Sequence, residues 1–361
     1  MDYDLCIVGA GPAGLAAAIR FRDLCASNDE DLSVCVLEKG SFVGSHILSG
    51  NCFEPRALNE LIPNWRELEA PIHTHVSQDQ ISVLFKNFSV DIPNFLLPAG
   101  VHNHGNYVIS LGELVAWLGE QAEERGVDII PGFAADQVRF SSDGAVEGVI
   151  TGDMGISKSG ERKDTFEPGV EVRAAQTIFS EGCRGSLTQR LFEKYGLTEN
   201  NVNQQEYGLG LKEVWQVDNK HFKPGLVRHT VGWPLRNSEY GGSFMYHMEP
   251  NLIHFGLVVG LDYRNPYLNP YEEFQKLKTH PDVAKYFEGG ECISYGARAL
   301  NEGGFHAVPK LTFPGGVLAG CSAGFLNVQK IKGTHNAMKT GMLAAESLFE
   351  RMRASETRAS G

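Results

Sequence analysis

Alternating blocks of apolar and polar positions at the start of the chain predict a β-α-β unit. Residues 4–8 form a mostly apolar run of strand length, and residues 15–24 are rich in alanine, as in a buried helix. A second apolar run covers residues 32–37 and ends at Glu38. Because a helix that joins two such strands brings them side by side in one direction, the pattern predicts a parallel sheet.

The following stretch, to about residue 204, continues this α/β pattern. One face of a predicted helix carries apolar residues at helical spacing, namely Leu111, Leu114, Val115, Leu118 and Ala122. Short apolar runs at 138–140 and 146–150 flank a Ser-Asp-Gly turn, which indicates a hairpin. Residues 152–169 are polar and predict a surface excursion, and a short strand at 177–180 leads into Glu181 and Gly182.

Residues 205–300 have a different pattern, rich in aromatic and β-branched residues. They predict a mostly antiparallel sheet with Gly-Gly turns at 241–242 and 289–290 and one helix near 271–277. The strand-then-glycine pattern returns at 317–320, and a long helix is predicted over 332–351. We therefore expect an α/β fold in which the last segment completes the Rossmann-type parallel sheet, with a mostly antiparallel α+β domain inserted.

Composition narrows the classes of function. The chain has 361 residues, 42% hydrophobic and 21% charged, which is ordinary for a globular protein. Its net charge of −12 argues against nucleic acid as the main partner, because phosphate binding needs clustered Lys and Arg. No run of apolar residues is long enough to predict a transmembrane helix. The His pairs at 73/75 and 102/104 lack further ligands, so no metal site is expected.

The glycine-rich turn after the first strand predicts a dinucleotide site. Gly9, Gly11 and Gly14 follow the strand directly and open the helix, and Glu38 ends the next strand. In this context the glycines allow the turn and the approach of a diphosphate, while the acid accepts hydrogen bonds from a ribose. Helix N-termini bind such phosphates through free N–H groups. The fingerprint alone leaves NAD(P) and FAD open.

Two later segments favour FAD. The first is Glu181-Gly182 at a strand end, and the second is the glycine-rich stretch from Gly320 to Gly324, followed by Gly333-Thr334 at the start of a helix. The positive end of that helix dipole would stabilise a reduced, anionic flavin ring. Asn327 and Thr334 either donate hydrogen bonds to the flavin or cap the helix.

Four runs of residues together resemble the electron transfer flavoprotein–ubiquinone oxidoreductases. They are GSHILSG at 44–50, SEGCRGSL at 180–187, YGGSFMYH at 240–247, and GCSAGFLNV at 320–328 continued by KIKGTH at 330–335. The resemblance extends over nearly the whole chain. It implies a glutathione-reductase-like FAD domain, a ubiquinone domain and a C-terminal ferredoxin-like domain with a [4Fe–4S] cluster. It also implies electron transfer from reduced electron transfer flavoprotein to membrane ubiquinone.

This resemblance assigns candidate site residues. The backbone at Gly241 and Gly242 would contact the quinone headgroup. Cofactor-binding residues are expected at Gly9, Gly11, Gly14, Glu38, Lys39, Ser49, Gly50, Val138, Glu181, Gly182, Gly320, Gly324, Asn327, Gly333 and Thr334. No protein side chain is assigned as a catalytic acid or base, because the flavin carries the redox chemistry.

The expected domains follow from these assignments. The FAD-binding domain comprises residues 1–75, 105–204 and 301–352, and residues 205–300 form the ubiquinone domain. Residues 76–104 are expected to leave the FAD domain as an excursion toward the substrate domain and the membrane. Residues 353–361 are expected to form a disordered tail. The seven cysteines include no Cys-x-x-Cys, so no cluster ligand is assigned, and we expect the cluster domain to be missing from this chain.

Residues 92–101 are apolar, contain two prolines and are too short to span a bilayer. They predict either a membrane-surface segment or a buried loop. The resemblance implies the former, at the matrix side of the mitochondrial inner membrane or at a bacterial cytoplasmic membrane.

Three other functions fit the same flavin motifs. One is a geranylgeranyl-reductase-like enzyme or a nitrogen-fixation-type dehydrogenase. Another is a flavin hydroxylase that uses NAD(P)H and oxygen. The third is a flavin-binding fragment without catalytic activity.

Overall fold

A computed structural model describes residues 1–48 and 50–359 of the chain. Ser49, one of the predicted cofactor residues, lies outside the described residues. In the described part, no helix combines the length and apolar character that crossing a membrane requires.

Helices and strands alternate in the first half of the chain, and strands dominate the second. The helices are α1 (Pro12–Asn28), α2 (Arg56–Leu61), α3 (Leu111–Glu123), α4 (Ser186–Tyr195), α5 (Pro270–Lys278), α6 (Pro281–Ala284) and α7 (Thr334–Ala359). The strands of the first half are β1 (Asp2–Val8), β2 (Val34–Glu38), β3 (Asn51–Phe53), β4 (Thr74–His75), β5 (Gln78–Leu84), β6 (Ser89–Ile92), β7 (Tyr107–Ile109), β8 (Asp128–Pro131), β9 (Ala135–Phe140), β10 (Val146–Thr151), β11 (Met154–Ile156), β12 (Arg162–Glu167) and β13 (Glu171–Phe179). Those of the second half are β14 (Tyr207–Gln216), β15 (Leu226–Gly232), β16 (Gly241–Met248), β17 (Leu252–Gly260), β18 (Glu291–Asn301), β19 (Thr312–Phe313) and β20 (Gly316–Leu318).

A largely parallel sheet forms the first layer and confirms the predicted Rossmann-type fold. Its strands run in the order β19-β20-β13-β1-β2-β8, and β1 pairs in parallel with both β2 and β13. Helices α1, α3 and α7 cover one face, where residues such as Leu5, Ile19 and Met342 are fully buried. Strand β20 comes from the last part of the chain, so residues far apart in sequence complete one sheet.

A seven-stranded sheet forms the second layer, with the order β18-β14-β17-β16-β15-β5-β6. It is antiparallel except where β5 pairs in parallel with β15. One face packs against α5 and α6 through a core that includes Phe255, Leu257 and Leu277. The excursion at 76–104 thus contributes two strands to this sheet. The mixed architecture agrees with the predicted fold class, while the domain boundaries stay predictions.

The structure corrects two details of the sequence prediction. Gly241 and Gly242 lie inside β16, where they pair with Val259 and Val258, and do not form a turn. A methyl group at either glycine would lie within 2.6 Å of a backbone oxygen of a neighbouring strand, so these glycines permit close strand packing. The predicted surface excursion at 152–169 is mostly exposed and contains the β11–β12 hairpin.

The second correction concerns the predicted disordered tail. Helix α7 continues to Ala359, beyond residue 352, and residues 360–361 of this tail lie outside the described part. The segment contains no glycine or proline before Gly361 to end the helix. Arg353 also holds the helix against the end of α1, through Glu30 at 3.2 Å and Asn28 at 2.8 Å.

Candidate functional site

The predicted nucleotide residues converge at the carboxyl edge of the parallel sheet. Strands β1, β2, β13 and β20 all end there, and each is followed by one of the predicted segments. Gly320 lies against α1, because a methyl group added to it would be 2.8 Å from the Cβ atom of Ala13. The Ser322 hydroxyl donates a 3.3 Å hydrogen bond to the carbonyl of Gly182. Ligands of open α/β sheets bind at this edge.

The three fingerprint glycines have different surroundings. A Cβ atom at Gly9 would lie 2.6 Å from the Ser180 carbonyl oxygen, and one at Gly14 would lie 2.0 Å from the Gly9 oxygen. At Gly11, by contrast, no atom lies within 4 Å of that position. The first and third glycines therefore allow tight packing, whereas the second borders open space beside the start of α1. No side chain caps that helix end, so its N–H groups can bind a diphosphate.

The carboxylate of Glu38 lies at the same turn. It accepts hydrogen bonds from the backbone N–H groups of Ala10, at 3.0 Å, and Gly40, at 2.7 Å. These bonds fix its position at the end of β2, where a ribose of a bound dinucleotide would lie. Lys39 follows it and is exposed.

Two predicted cofactor residues have a different environment from the one expected. The Glu181 carboxylate binds the start of α4, accepting from the Thr188 hydroxyl at 2.6 Å and the Thr188 N–H at 2.7 Å. Its backbone and Gly182 remain at the predicted edge. Val138 lies in β9, two strands from β13, and packs with the apolar cluster on the α4 side of the sheet. Contact of either with a nucleotide stays a prediction.

The segment from Gly320 to Thr334 borders the site on a third side. Gly320 and Gly324 have positive φ angles of 63° and 80°, a conformation that favours glycine. The Asn327 side chain accepts from the Lys330 N–H at 3.1 Å, and Thr334 accepts from the Asn51 amide at 2.7 Å. Asn327 thus stabilises a local turn. At Gly333, just before α7, a methyl group would lie 2.5 Å from Leu326.

Cys183 and Cys321 lie in these motifs as buried or partly buried thiols. Burial raises the pKa of Cys183 to about 12 and also raises that of Cys321. With a pKa of about 12, the Cys183 thiol is protonated at neutral pH in the metal-free chain. Among the described residues, no group of three or more His, Cys, Asp and Glu is arranged to hold a metal ion.

The second layer presents a face rich in glycine toward this site. Directly paired residues of antiparallel strands point to the same side, which places Gly210, Gly242 and Arg298 together in one row across the sheet. The next row contains Lys212, Phe244, Gly256 and Gly296. We call this side the glycine-rich face; the opposite side packs on α5 and α6.

Residues 44–50 connect the glycine-rich face to the parallel sheet. The Lys212 ammonium donates to the carbonyls of Gly50, at 2.7 Å, and Leu48, at 3.3 Å. Arg298 donates to the His46 carbonyl at 2.7 Å. Gly50 has a φ of 98°, and a methyl group there would be 2.4 Å from the His254 side chain. Gly50, a predicted cofactor position, and the carbonyls of His46 and Leu48 are therefore held against the second layer.

A cavity of about 570 Å³ opens at the end of the second sheet, beside Arg184. Its walls include Tyr240, which precedes the two predicted quinone glycines, and three acids, Glu206, Asp262 and Glu302. Burial, reinforced by repulsion from Asp262 and Glu206, raises the pKa of Glu302 to about 7. The cavity thus has room for a small substrate and a carboxyl group that titrates near neutral pH.

Sequence reasoning did not identify Lys212, Arg298 or Glu302. A signal for Lys212 was present, because Gly208, Gly210 and Lys212 alternate along β14 and so share one face. Glu302 carries no such signal, since its acidic neighbours come from separate loops.

Two family models match parts of the chain. Residues 7–88 match a model described as an NAD(P)-binding Rossmann-like domain, and residues 207–300 match one described as ETF-QO, ubiquinone-binding. Over 351 residues the chain is 55% identical to the mitochondrial electron transfer flavoprotein-ubiquinone oxidoreductase of Oryza sativa subsp. japonica. That match covers 97% of this chain and 60% of the relative.

The resemblance predicted from the motifs is confirmed. The chain is homologous to the electron transfer flavoprotein–ubiquinone oxidoreductases. The Homo sapiens protein of that name is 54% identical, with 97% of this chain and 57% of the relative covered. The chain therefore spans about three-fifths of the length of the curated relatives it matches.

Solved structures show that the fold is shared more widely. A geranylgeranyl bacteriochlorophyll reductase-like protein from Thermoplasma acidophilum matches with a TM-score of 0.73 and 19% identity, covering 98% of this chain and 79% of that one. A flavin-dependent brominase matches with a TM-score of 0.65 and 18% identity, covering 97% and 79%. At these identities the likeness concerns the fold alone.

Proposed function

We propose that this chain binds FAD and uses it to pass electrons from a reduced flavoprotein to ubiquinone. One observation carries the proposal: Lys212 and Arg298 of the glycine-rich face, within the residues matched by the ubiquinone-binding model, bind carbonyls of the segment that follows Glu38, and Glu38 itself binds the dinucleotide turn. A flavin bound between the two layers would contact both the turn and the quinone side.

The chain's own residues fit FAD. The open space at Gly11 and the uncapped start of α1 would hold the diphosphate, and the Glu38 carboxylate would accept from a ribose. The positive end of α7 begins at Thr334 and favours negative charge nearby. When bound, FAD would supply the redox chemistry, and the protein would position the ring and exclude water from it.

The quinone side rests on Gly241 and Gly242. The resemblance assigns their backbone to the headgroup, while neighbouring strands fill the space that a methyl group would take at either glycine. Reduction of a quinone to a quinol requires two electrons and two protons. Glu302, a half-buried acid in the cavity beside Tyr240, suits this requirement, since its raised pKa keeps it partly protonated at neutral pH.

The partners and location are proposed from the relatives' names. Those relatives are named for electron transfer flavoprotein and ubiquinone and are called mitochondrial. We propose the same donor and acceptor for this chain, with a site at the matrix side of the mitochondrial inner membrane or its bacterial counterpart. The [4Fe–4S] cluster implied by the resemblance has no ligands that we assign here.

The test begins with FAD binding by the purified chain, followed by anaerobic mixing with reduced electron transfer flavoprotein and a short-chain ubiquinone. We expect a chain with stoichiometric FAD that reduces the quinone when the flavin is chemically reduced. Rapid NADPH oxidation with release of peroxide would instead support a flavin hydroxylase. FAD binding without any quinone reduction would support a flavin-binding fragment.

A further inference from the structure

Lys212 is a cation of the glycine-rich face whose charge no carboxylate balances. Its ammonium group donates only to the carbonyls of Leu48 and Gly50, and the ring of Phe244 lies 5.6 Å away. Among the side chains of residues 1–48 and 50–354, no carboxylate lies within ion-pair distance of it. Carbonyl oxygens satisfy its hydrogen bonds and leave its charge uncompensated.

A second cation increases this excess of positive charge. Arg298 lies diagonally across from Lys212 on the neighbouring strand, and its guanidinium donates to the His46 carbonyl. Burial, and then repulsion from Arg298, lower the pKa of Lys212 to about 8. Both groups thus carry positive charge at neutral pH, at the contact between residues 44–50 and the second layer.

The opposite face of the same sheet shows the usual arrangement for a lysine in such a position. There Lys278 forms an ion pair with Glu213 at 2.8 Å. The lack of a similar partner for Lys212 indicates that its counter-charge comes from a ligand. A flavin ring provides one only when reduced, because two electrons and one proton leave it one unit more negative.

We propose that Lys212 provides the positive charge that stabilises the reduced flavin ring and so raises its reduction potential. The proposal rests on the proposed function, since it requires FAD to bind between the two layers. Lys212 is suited to this role because it reaches the Gly50 carbonyl, and Gly50 is one of the predicted cofactor positions. The electrons would come from the protein donor named above, or from dithionite in the test.

The test compares Lys212→Met and Lys212→Gln in the FAD-loaded chain, with Lys278→Met as the matched control from the opposite face. The readout is the midpoint potential of the bound flavin in an anaerobic dithionite titration with reference dyes. We expect both Lys212 variants to weaken the binding of reduced relative to oxidised FAD by about tenfold, which lowers the two-electron potential by about 30 mV. Lys278→Met should leave the potential unchanged.

The glutamine variant separates charge from loop positioning, because its amide can still donate to the Gly50 carbonyl. If the potential falls in Lys212→Met but not in Lys212→Gln, Lys212 only positions the segment that contains Gly50. That result would overturn the proposal. Equal potentials in all variants would also overturn it while leaving FAD binding intact. A wild-type chain that binds no FAD would contradict the proposed function itself, and the Lys212 proposal with it.

A second measurement needs no folded variant. Coupling between two sites is reciprocal, so a reduced flavin stabilised by the ammonium must raise the pKa of Lys212 by the same free energy. A tenfold effect corresponds to about one pKa unit. NMR of ¹⁵Nζ-labelled lysine in the FAD-loaded wild-type chain should show this rise on reduction. A Lys212 pKa that is the same in both redox states would overturn the proposal.

Discussion

The fingerprint glycines show how similar residues in one motif can have separate roles. Gly9 and Gly14 are required by contacts within the protein, since a methyl group at either would overlap a backbone oxygen. Gly11 borders open space, so its small size matters only if something else occupies that space. Fold and ligand binding can therefore be separated by substitution at neighbouring positions.

We expect Gly11→Ala to fold with near-wild-type stability and to lose FAD affinity by at least about tenfold, because the new methyl group would occupy the diphosphate position. Gly11 has a φ of −85°, which alanine adopts readily. Flavin fluorescence titration measures the affinity, and urea unfolding measures the stability. Gly14→Ala is the control. Its methyl group would overpack the contact between α1 and the turn at Gly9, which should lower the free energy of unfolding by about 1–3 kcal/mol. Unchanged FAD affinity in Gly11→Ala would contradict the assigned diphosphate position.

Lys212 also predicts a pH dependence of stability. Its pKa falls from an ordinary 10.5 to about 8 in the folded chain, so between these values the unfolded chain binds more protons. Stability without FAD should therefore rise from pH 8 to pH 10.5, by about 2 kcal/mol after allowance for partial exposure. Lys212→Met should lack this contribution. Urea unfolding at several pH values would measure the difference, and identical slopes for the two proteins would contradict it.

At the scale of elements, local sequence patterns predicted the helices, strands and turns that depend on neighbouring residues. The β-α-β unit, the helix at 111–123 and the hairpin around Ser-Asp-Gly all followed from short-range periodicity and turn residues. Gly241 and Gly242 were misplaced because a glycine pair suits a turn and a crowded strand equally well. The pairing of β5 with β15 joins residues about 150 positions apart, and no local pattern encodes such a pairing. The unbalanced charge of Lys212 likewise depends on residues 44–50, which sequence spacing does not bring near β14.

The apolar excursion forms an exposed corner beside β6. Phe95 and Leu96 lie in a short helical turn and are 84% and 65% exposed, which excludes the buried-loop alternative for these side chains. The exposed rings of Phe85 and Phe88, in the turn at the other end of β6, stack with centroids 4.7 Å apart. Exposed apolar side chains at both ends of an edge strand are consistent with the predicted contact of residues 92–101 with a membrane surface.

We expect the wild-type chain to float with liposomes that contain anionic and neutral lipids, and Phe95→Asp with Leu96→Asp to float several-fold less. The reason is that two exposed apolar side chains, each contributing up to about 2 kcal/mol when buried, would be replaced by charges. Tyr267→Asp is the control, since Tyr267 is 92% exposed but follows β17, away from the excursion. Equal flotation of the double variant and the wild-type chain would contradict a membrane role for this corner.

At the scale of the molecule, the candidate site is built by both layers, and neither contains it alone. The parallel sheet supplies the dinucleotide turn, and the antiparallel sheet supplies the glycine-rich face with its two cations. Residues 44–50 join them through the bonds from Lys212 and Arg298. A ligand that occupies the space between the layers should therefore stabilise both against unfolding.

This arrangement predicts the effect of FAD on the whole chain. At a free concentration one hundred times its dissociation constant, FAD should raise the free energy of unfolding by about 2.7 kcal/mol. Hydrogen exchange should slow in residues 9–14 and 320–324, and also in β14 on the opposite layer. The Gly11→Ala variant, at the same FAD concentration, controls for unspecific effects and, with at least tenfold weaker affinity, should gain no more than about 1.4 kcal/mol. Protection limited to the parallel sheet would mean that FAD does not reach the glycine-rich face, and would contradict the two-layer site on which the quinone assignment depends.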